Sequence, residues 1–146
     1  TLEGRVLVHG EDEASGRNYL MLEATDAKVY LIHHTPEMEE ARSHGGLRTN
    51  SFIRLRKLFV DGSPTLEVND MGNSDSILKN RDHLEGAAHQ FIKRGIIPTE
   101  DGWGGWLGRY QAAVRECALR LDQEREQSEL TRRHERQRGR DRSHGR

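Results

Sequence analysis

Polar and apolar residues alternate over the first seventy positions, and the apolar ones then shift to a spacing of three or four. Alternation is the mark of strands, and the wider spacing that of helices. Residues 2–9 read LEGRVLVH and predict a strand, with Leu2, Val6 and Val8 on one face and Gly4 and Gly10 in register. A polar turn, EDEASG, follows. Residues 18–24 form a second strand, apolar on both sides, with Tyr19 and Met21 opposed to Leu20 and Leu22. The short link Thr25-Asp26-Ala27 predicts a hairpin into a third strand over residues 28–34. Thr35 is a good N-cap and Pro36 suits the first helical position, so a helix starts there and stops at Gly45-Gly46. A fourth strand spans residues 52–60, with Ile53 and Leu55 on one side and Arg54 and Arg56 on the other. After the turn DGSP comes a fifth, residues 65–68.

Strand, strand, strand, helix, strand, strand is the order of the five-stranded oligonucleotide- and oligosaccharide-binding barrel. The expected class is α+β, with a small five-to-six-stranded antiparallel β-barrel, open or closed, over residues 1–71. From Asn73 the period is helical. Ile77, Leu84, Ala87, Ala88, Phe91 and Ile92 line one face, and Pro98 forbids continuation. A last helix carries Trp103, Leu107, Tyr110, Val114, Cys117 and Leu121 at spacings of four and three. Residues 72–121 should thus form an antiparallel helical hairpin packed on the barrel. Trp106 falls off the stripe and is the aromatic expected to contact a protein partner. Residues 122–146 hold one apolar residue, Leu130, and predict a charged, frayed helix ending in a disordered arginine-rich tail.

Charge sharpens this division. Beyond Leu130, seven arginines against Glu135 and Asp141 give a net +5, so residues 1–130 carry −6 of the total −1. The body is acidic and the tail basic, which turns attention to the tail for phosphate binding. The one cysteine, Cys117, excludes an intrachain disulfide and fits a reducing cytoplasm. No apolar run approaches the ~20 residues of a membrane span. The chain opens at Thr1 inside a predicted strand, as expected of a piece of a longer protein.

Candidate chemistry is sparse. His33 and His34 are adjacent on a strand and point to opposite faces, which is wrong for one metal. His9, His44, His83 and His89 show no ligand spacing, so neither metal nor cofactor is expected. Asp26, Asp61, Asp70 and Asp75 sit at turns or caps. Tyr110 and Cys117 lie on the apolar stripe, where packing is the simpler role. No catalytic residue is assigned. The best binding surface is the fourth strand, where Arg54 and Arg56 share a face and Lys57 follows, with Tyr19 and Tyr30 on neighbouring strands. Cations for phosphate beside aromatics for stacking suit a single nucleic-acid strand. The alternative is an edge strand charged against aggregation.

The opening LEGRVLVHGEDEASGRNYLMLEA, the strand SFIRLRKLF and above all IIPTEDGWGGWLGRYQAA resemble the C-terminal domain of bacterial relaxases, the mobilization nucleases of conjugative transfer. The resemblance covers roughly residues 2–121. It implies a bacterial cytoplasmic, non-catalytic accessory domain behind a nicking domain that is absent here. Partners would be single-stranded or nicked DNA near the transfer origin, the absent nicking domain, and relaxosome or secretion-channel proteins. A parent relaxase would cut DNA with a tyrosine and a histidine-bound metal, but Tyr110 does not match that tyrosine. The competing function is a module that docks the relaxase to relaxosome, coupling-protein or secretion components. A catalytic role would require titratable groups converging in a pocket.

Overall fold

The computed structural model describes residues 1–93 and 105–144. The chain is α+β. Its elements are β1 (Leu2–Glu11), β2 (Asn18–Ala24), β3 (Val29–His33), α1 (Pro36–Ser43), β4 (Ser51–Val60), β5 (Ser63–Asn73), α2 (Ser74–Ile77), α3 (Arg81–Lys93) and α4 (Gly105–His144). The strands form one antiparallel sheet in the order β3-β2-β1-β4-β5.

The sheet is open, so of the open and closed forms expected of a small barrel the closed one is excluded. Closure would need the edge strands β3 and β5 to pair, and α1 intervenes. Thr35 caps α1 by accepting a hydrogen bond from the Met38 N–H, and Met38 inserts into the core beneath the sheet. Glu37 reaches β5, where its carboxylate accepts from the Leu66 N–H at 3.3 Å and the Thr65 hydroxyl at 3.1 Å. A side chain thus satisfies a donor on the β5 edge that another strand would otherwise claim.

Local chemistry explains the turns. Asp61 and Gly62 both have positive φ, 52° and 78°, and sit between the paired residues Val60 and Ser63. That is the two-residue geometry that favours Asp-Gly in a hairpin. Ser63 and Pro64 therefore belong to β5, which is longer than the alternation suggested. Pro64 is tolerated near the start of an edge strand.

One irregularity changes which side chains face where. The β1–β2 register shifts between Val6 and Val8, leaving Leu7 as an extra residue. A bulge reverses the alternation beyond it. Val6 stays buried, whereas Val8 turns outward and His9 inward. The expected common face of Leu2, Val6 and Val8 holds only as far as the bulge.

Two cores result. Val6, Leu20, Leu22, Met38, Leu47, Ile53 and Leu55 fill the space between the sheet and α1. On the other face Phe52 joins Ile77, Leu84, Ala88, Trp106, Leu107, Tyr110, Val114 and Cys117. Helices α3 and α4 share this second core. Their connection, with Gly95, Pro98, Trp103 and Gly104, lies outside the described residues. Gly4 marks the tightest strand approach. A Cβ there would stand 2.2 Å from the Glu23 carbonyl oxygen and 2.7 Å from the Ala24 Cα, both backbone atoms. Gly4→Ala should cost about 1–3 kcal/mol, read as a lower denaturant midpoint.

The described part of the tail is helix. Helix α4 continues to His144, with residues 122–138 exposed throughout. The sequence predicts a charged helix that frays into a disordered end; the helix described runs on to His144. Helix formation is costly only at its nucleus, and residues 105–121 are already held by the core. Glu, Gln and Arg then propagate the helix, with local support such as Arg125 to Asp122 at 3.4 Å.

Candidate nucleic-acid interface

The five residues expected to form one binding surface do not share a face. Arg54 and Arg56 project from β4 toward the helical side of the sheet, as does Phe52. Lys57 has the opposite parity and lies on the α1 side. Tyr19 is on the helical side, paired with Gly10 and His33. Gly10 stands seven positions along β1 from Glu3, the residue opposite Arg54, roughly 23 Å at ~3.3 Å per residue. Tyr30 packs against the α1-side core, and its hydroxyl donates to Asp26. The hydrogen bond to the Asp26 carboxylate raises the Tyr30 phenol above its ordinary value.

The two arginines are also neutralised. Register places Glu3 opposite Arg54 and Glu67 opposite Arg56. The resulting pairs are 3.1 Å and 3.2 Å long. Arg5 and Glu23 form a third cross-strand pair on the same face at 3.4 Å. Pairs this exposed are worth about 0–1 kcal/mol each, so they shape charge more than stability.

Arg54 and Arg56 line a cleft of about 680 Å³ between the sheet and α3, with Glu3, Asp26, Glu67, Gln90 and Phe91. Their side chains keep 39% and 50% of their exposure. They are accessible, but three carboxylates face two guanidiniums. A phosphate entering the cleft would have to displace Glu3 or Glu67 from its partner.

Trp106 is part of the core, contrary to the expectation of a surface contact. It is 2% exposed, and its indole N–H donates to the Ser74 carbonyl at 2.7 Å. The ring stacks on Tyr110 at 5.1 Å and tilts against Phe52 at 5.7 Å. Tyr110 is buried too. Burial raises its phenol well above the ordinary value, so it stays protonated at neutral pH. Its hydroxyl lies 3.0 Å from His83 Nε2. Burial pushes His83 down, favouring a neutral ring that can accept from that hydroxyl. A histidine with a depressed folded value contributes stability that is present above ~6.5 and lost as pH falls below it. Wild-type thermal stability should therefore drop more between pH 7.5 and pH 5 than that of His83→Gln.

Elsewhere on the helical side of the sheet, Val8, Met21 and Leu31 stand side by side across β1, β2 and β3. Val8, Leu31 and nearby Val29 are about half exposed. No described helix covers this half of the sheet. The bulge at Leu7, invisible in the alternation, is what adds Val8 to the patch.

A group of exposed cations lies on α4. Arg132, Arg133, Arg136 and Arg138 are exposed on a helix that leaves the core after Leu121. Among the described residues, no group of three or more His, Cys, Asp or Glu side chains could hold a metal ion. No described helix is long and apolar enough to cross a membrane. No family model, curated protein or solved structure matches the chain.

Proposed function

We propose that this chain is a non-catalytic accessory domain of a conjugative relaxase, which supports DNA binding near the transfer origin through the arginine-bearing end of α4. The observation that carries the reading is charge placement. The sheet arginines are paired with Glu3 and Glu67, whereas the four arginines from Arg132 to Arg138 are exposed on a projecting helix. Such a helix binds phosphate with a strong salt dependence. The strand order and the position of α1 between β3 and β4 suit an oligonucleotide-binding ancestry for the sheet, here in an opened form. The phosphate load moves from β4 to α4, and Tyr19 keeps a stacking role at the far end of the same face.

Fluorescence anisotropy with single-stranded, nicked and duplex oligonucleotides at low and high salt tests this. Binding that weakens steeply with salt is expected. Absence of binding at micromolar protein in low salt would sink the reading. Arg54→Ala and Arg56→Ala should each change affinity by less than about threefold, because their charge is already matched.

A second reading, docking to relaxosome or secretion components, draws on the uncovered Val8–Met21–Leu31 patch. Contiguous exposed apolar surface marks interaction sites more often than scattered residues do. Capture of those components that survives Leu31→Lys unchanged would count against it.

A further inference from the structure

Three side chains with no part in phosphate binding meet on the α1 side of the sheet. The bulge at Leu7 turns His9 inward. His9 Nδ1 lies 3.3 Å from His34 Nε2, and His34 Nδ1 lies 2.8 Å from Glu39 Oε1. His9 Nε2 meets the Leu47 carbonyl oxygen. The His34 side chain is 1% exposed.

The protons can be counted. A carbonyl oxygen and an ionised carboxylate only accept, so each end of this chain needs an N–H from a ring. The hydrogen bond between the rings needs one more. Two neutral imidazoles supply two N–H groups for three hydrogen bonds, so a third proton is required. A fourth would set N–H against N–H between the rings.

We propose that His9, His34 and Glu39 form a one-proton clamp that ties α1 to β1 and to the loop after α1, firm while the ring pair holds one extra proton and loosened when it holds none or two. The surrounding groups fit this count. From α1, Glu39 accepts and Arg42 adds positive charge near His9. From β2, the Asn18 amide donates to the same Glu39 oxygen at 3.3 Å. From β5, Asp70 accepts from the Leu47 N–H at 2.8 Å and so fixes the residue whose carbonyl meets His9. Burial disfavours charge on His9, opposed by its bond to Leu47. The hydrogen bond from His34 holds the Glu39 carboxyl below its ordinary range, followed by that from Asn18.

The consequence has a sign on both sides. Raising pH removes the extra proton and breaks one of the three hydrogen bonds. Lowering pH adds a second and breaks the bond between the rings. Either way the path from α1 through the two rings to β1 and Leu47 is broken at one bond, while the Met38 packing and the Glu37 ties to β5 remain. Imidazole nitrogen NMR on the full chain between pH 9 and pH 5 tests this, with the rings assigned through His9→Gln and His34→Gln. The pair should take up its two protons in two separated steps, with a one-proton plateau between them where isolated histidines take up both. Two independent, ordinary titration curves overturn the proposal, as does a pair that takes up none. Amide exchange in α1, corrected for intrinsic pH dependence, should be slowest in the one-proton window. It should speed up about tenfold on either side, the scale of one charge-assisted hydrogen bond. Unchanged α1 protection across the range also overturns it. Both readouts use the wild-type chain, so a variant that fails to fold leaves the test intact.

Discussion

Trp106→Ala should lower the stability of the fold by about 3–5 kcal/mol, the range for a buried aromatic truncated in a core. The residue is 2% exposed and belongs to a cluster that includes Phe52, Tyr110 and His83. Ring pairs of this kind add about 0.5–1.5 kcal/mol beyond area burial. The cluster also joins the two halves of the molecule, because Phe52 belongs to β4 and Trp106 and Tyr110 to α4. The indole N–H has a separate part. Trp106→Phe keeps most of the apolar ring but strips the Ser74 carbonyl of its donor. That should cost about 1–3 kcal/mol, the penalty for a buried acceptor left without a partner. Denaturant unfolding followed by circular dichroism separates the two variants. Equal and small losses would mean that α4 is not anchored through this ring.

That prediction was not available from spacing alone. The heptad-like series through Trp103 put Trp106 off the stripe. The buried face is wider than a strict heptad. Trp106, Tyr110, Val114 and Ala118 form one row four residues apart, and Leu107 and Cys117 flank it. A helix packed on a sheet and a second helix buries such a broad face, whereas a two-helix seam does not. Tyr110, Val114 and Cys117 were legible because both patterns include them.

The strands show the same boundary between local and non-local information. Alternation and turn residues were enough to place five strands and α1 in order, since each depends on neighbours within a few positions. The bulge at Leu7 is decided by the partner strand, and so is the face of every residue after it. Barrel closure depends on whether two segments roughly thirty residues apart, at the strand spacing of a small sheet, meet. Here α1 and Glu37 occupy the space instead. Arg54 and Arg56 were correctly placed on one face of β4. Their carboxylate partners come from β1 and β5 through register, which no single stretch of sequence reveals. His9 and His34 met no ligand-spacing rule because the bulge and the strand pairing bring them together.

Deleting residues 131–146 should leave the melting temperature unchanged and reduce nucleic-acid affinity on the order of 100-fold at low salt. The two halves of this expectation rest on different observations. Stability is untouched because the second core ends at Ala118, with Leu121 packed at its margin. Affinity falls because the deletion removes seven arginines and leaves a body carrying −6. The slope of log affinity against log salt should also shrink, by close to one for each phosphate that is no longer neutralised. Replacing Arg132, Arg133, Arg136 and Arg138 with Gln provides the matched control. Gln is a good helix former, so the helix persists while four charges go. An intermediate loss of affinity with a proportionate fall in slope is expected. If the deletion binds as tightly as the full chain, phosphate is held elsewhere and the cleft at Arg54 and Arg56 becomes the site to test. If the Gln variant binds as tightly as wild type while the deletion does not, residues 139–146 hold the phosphate, and the exposed stretch from Arg132 to Arg138 is only a spacer.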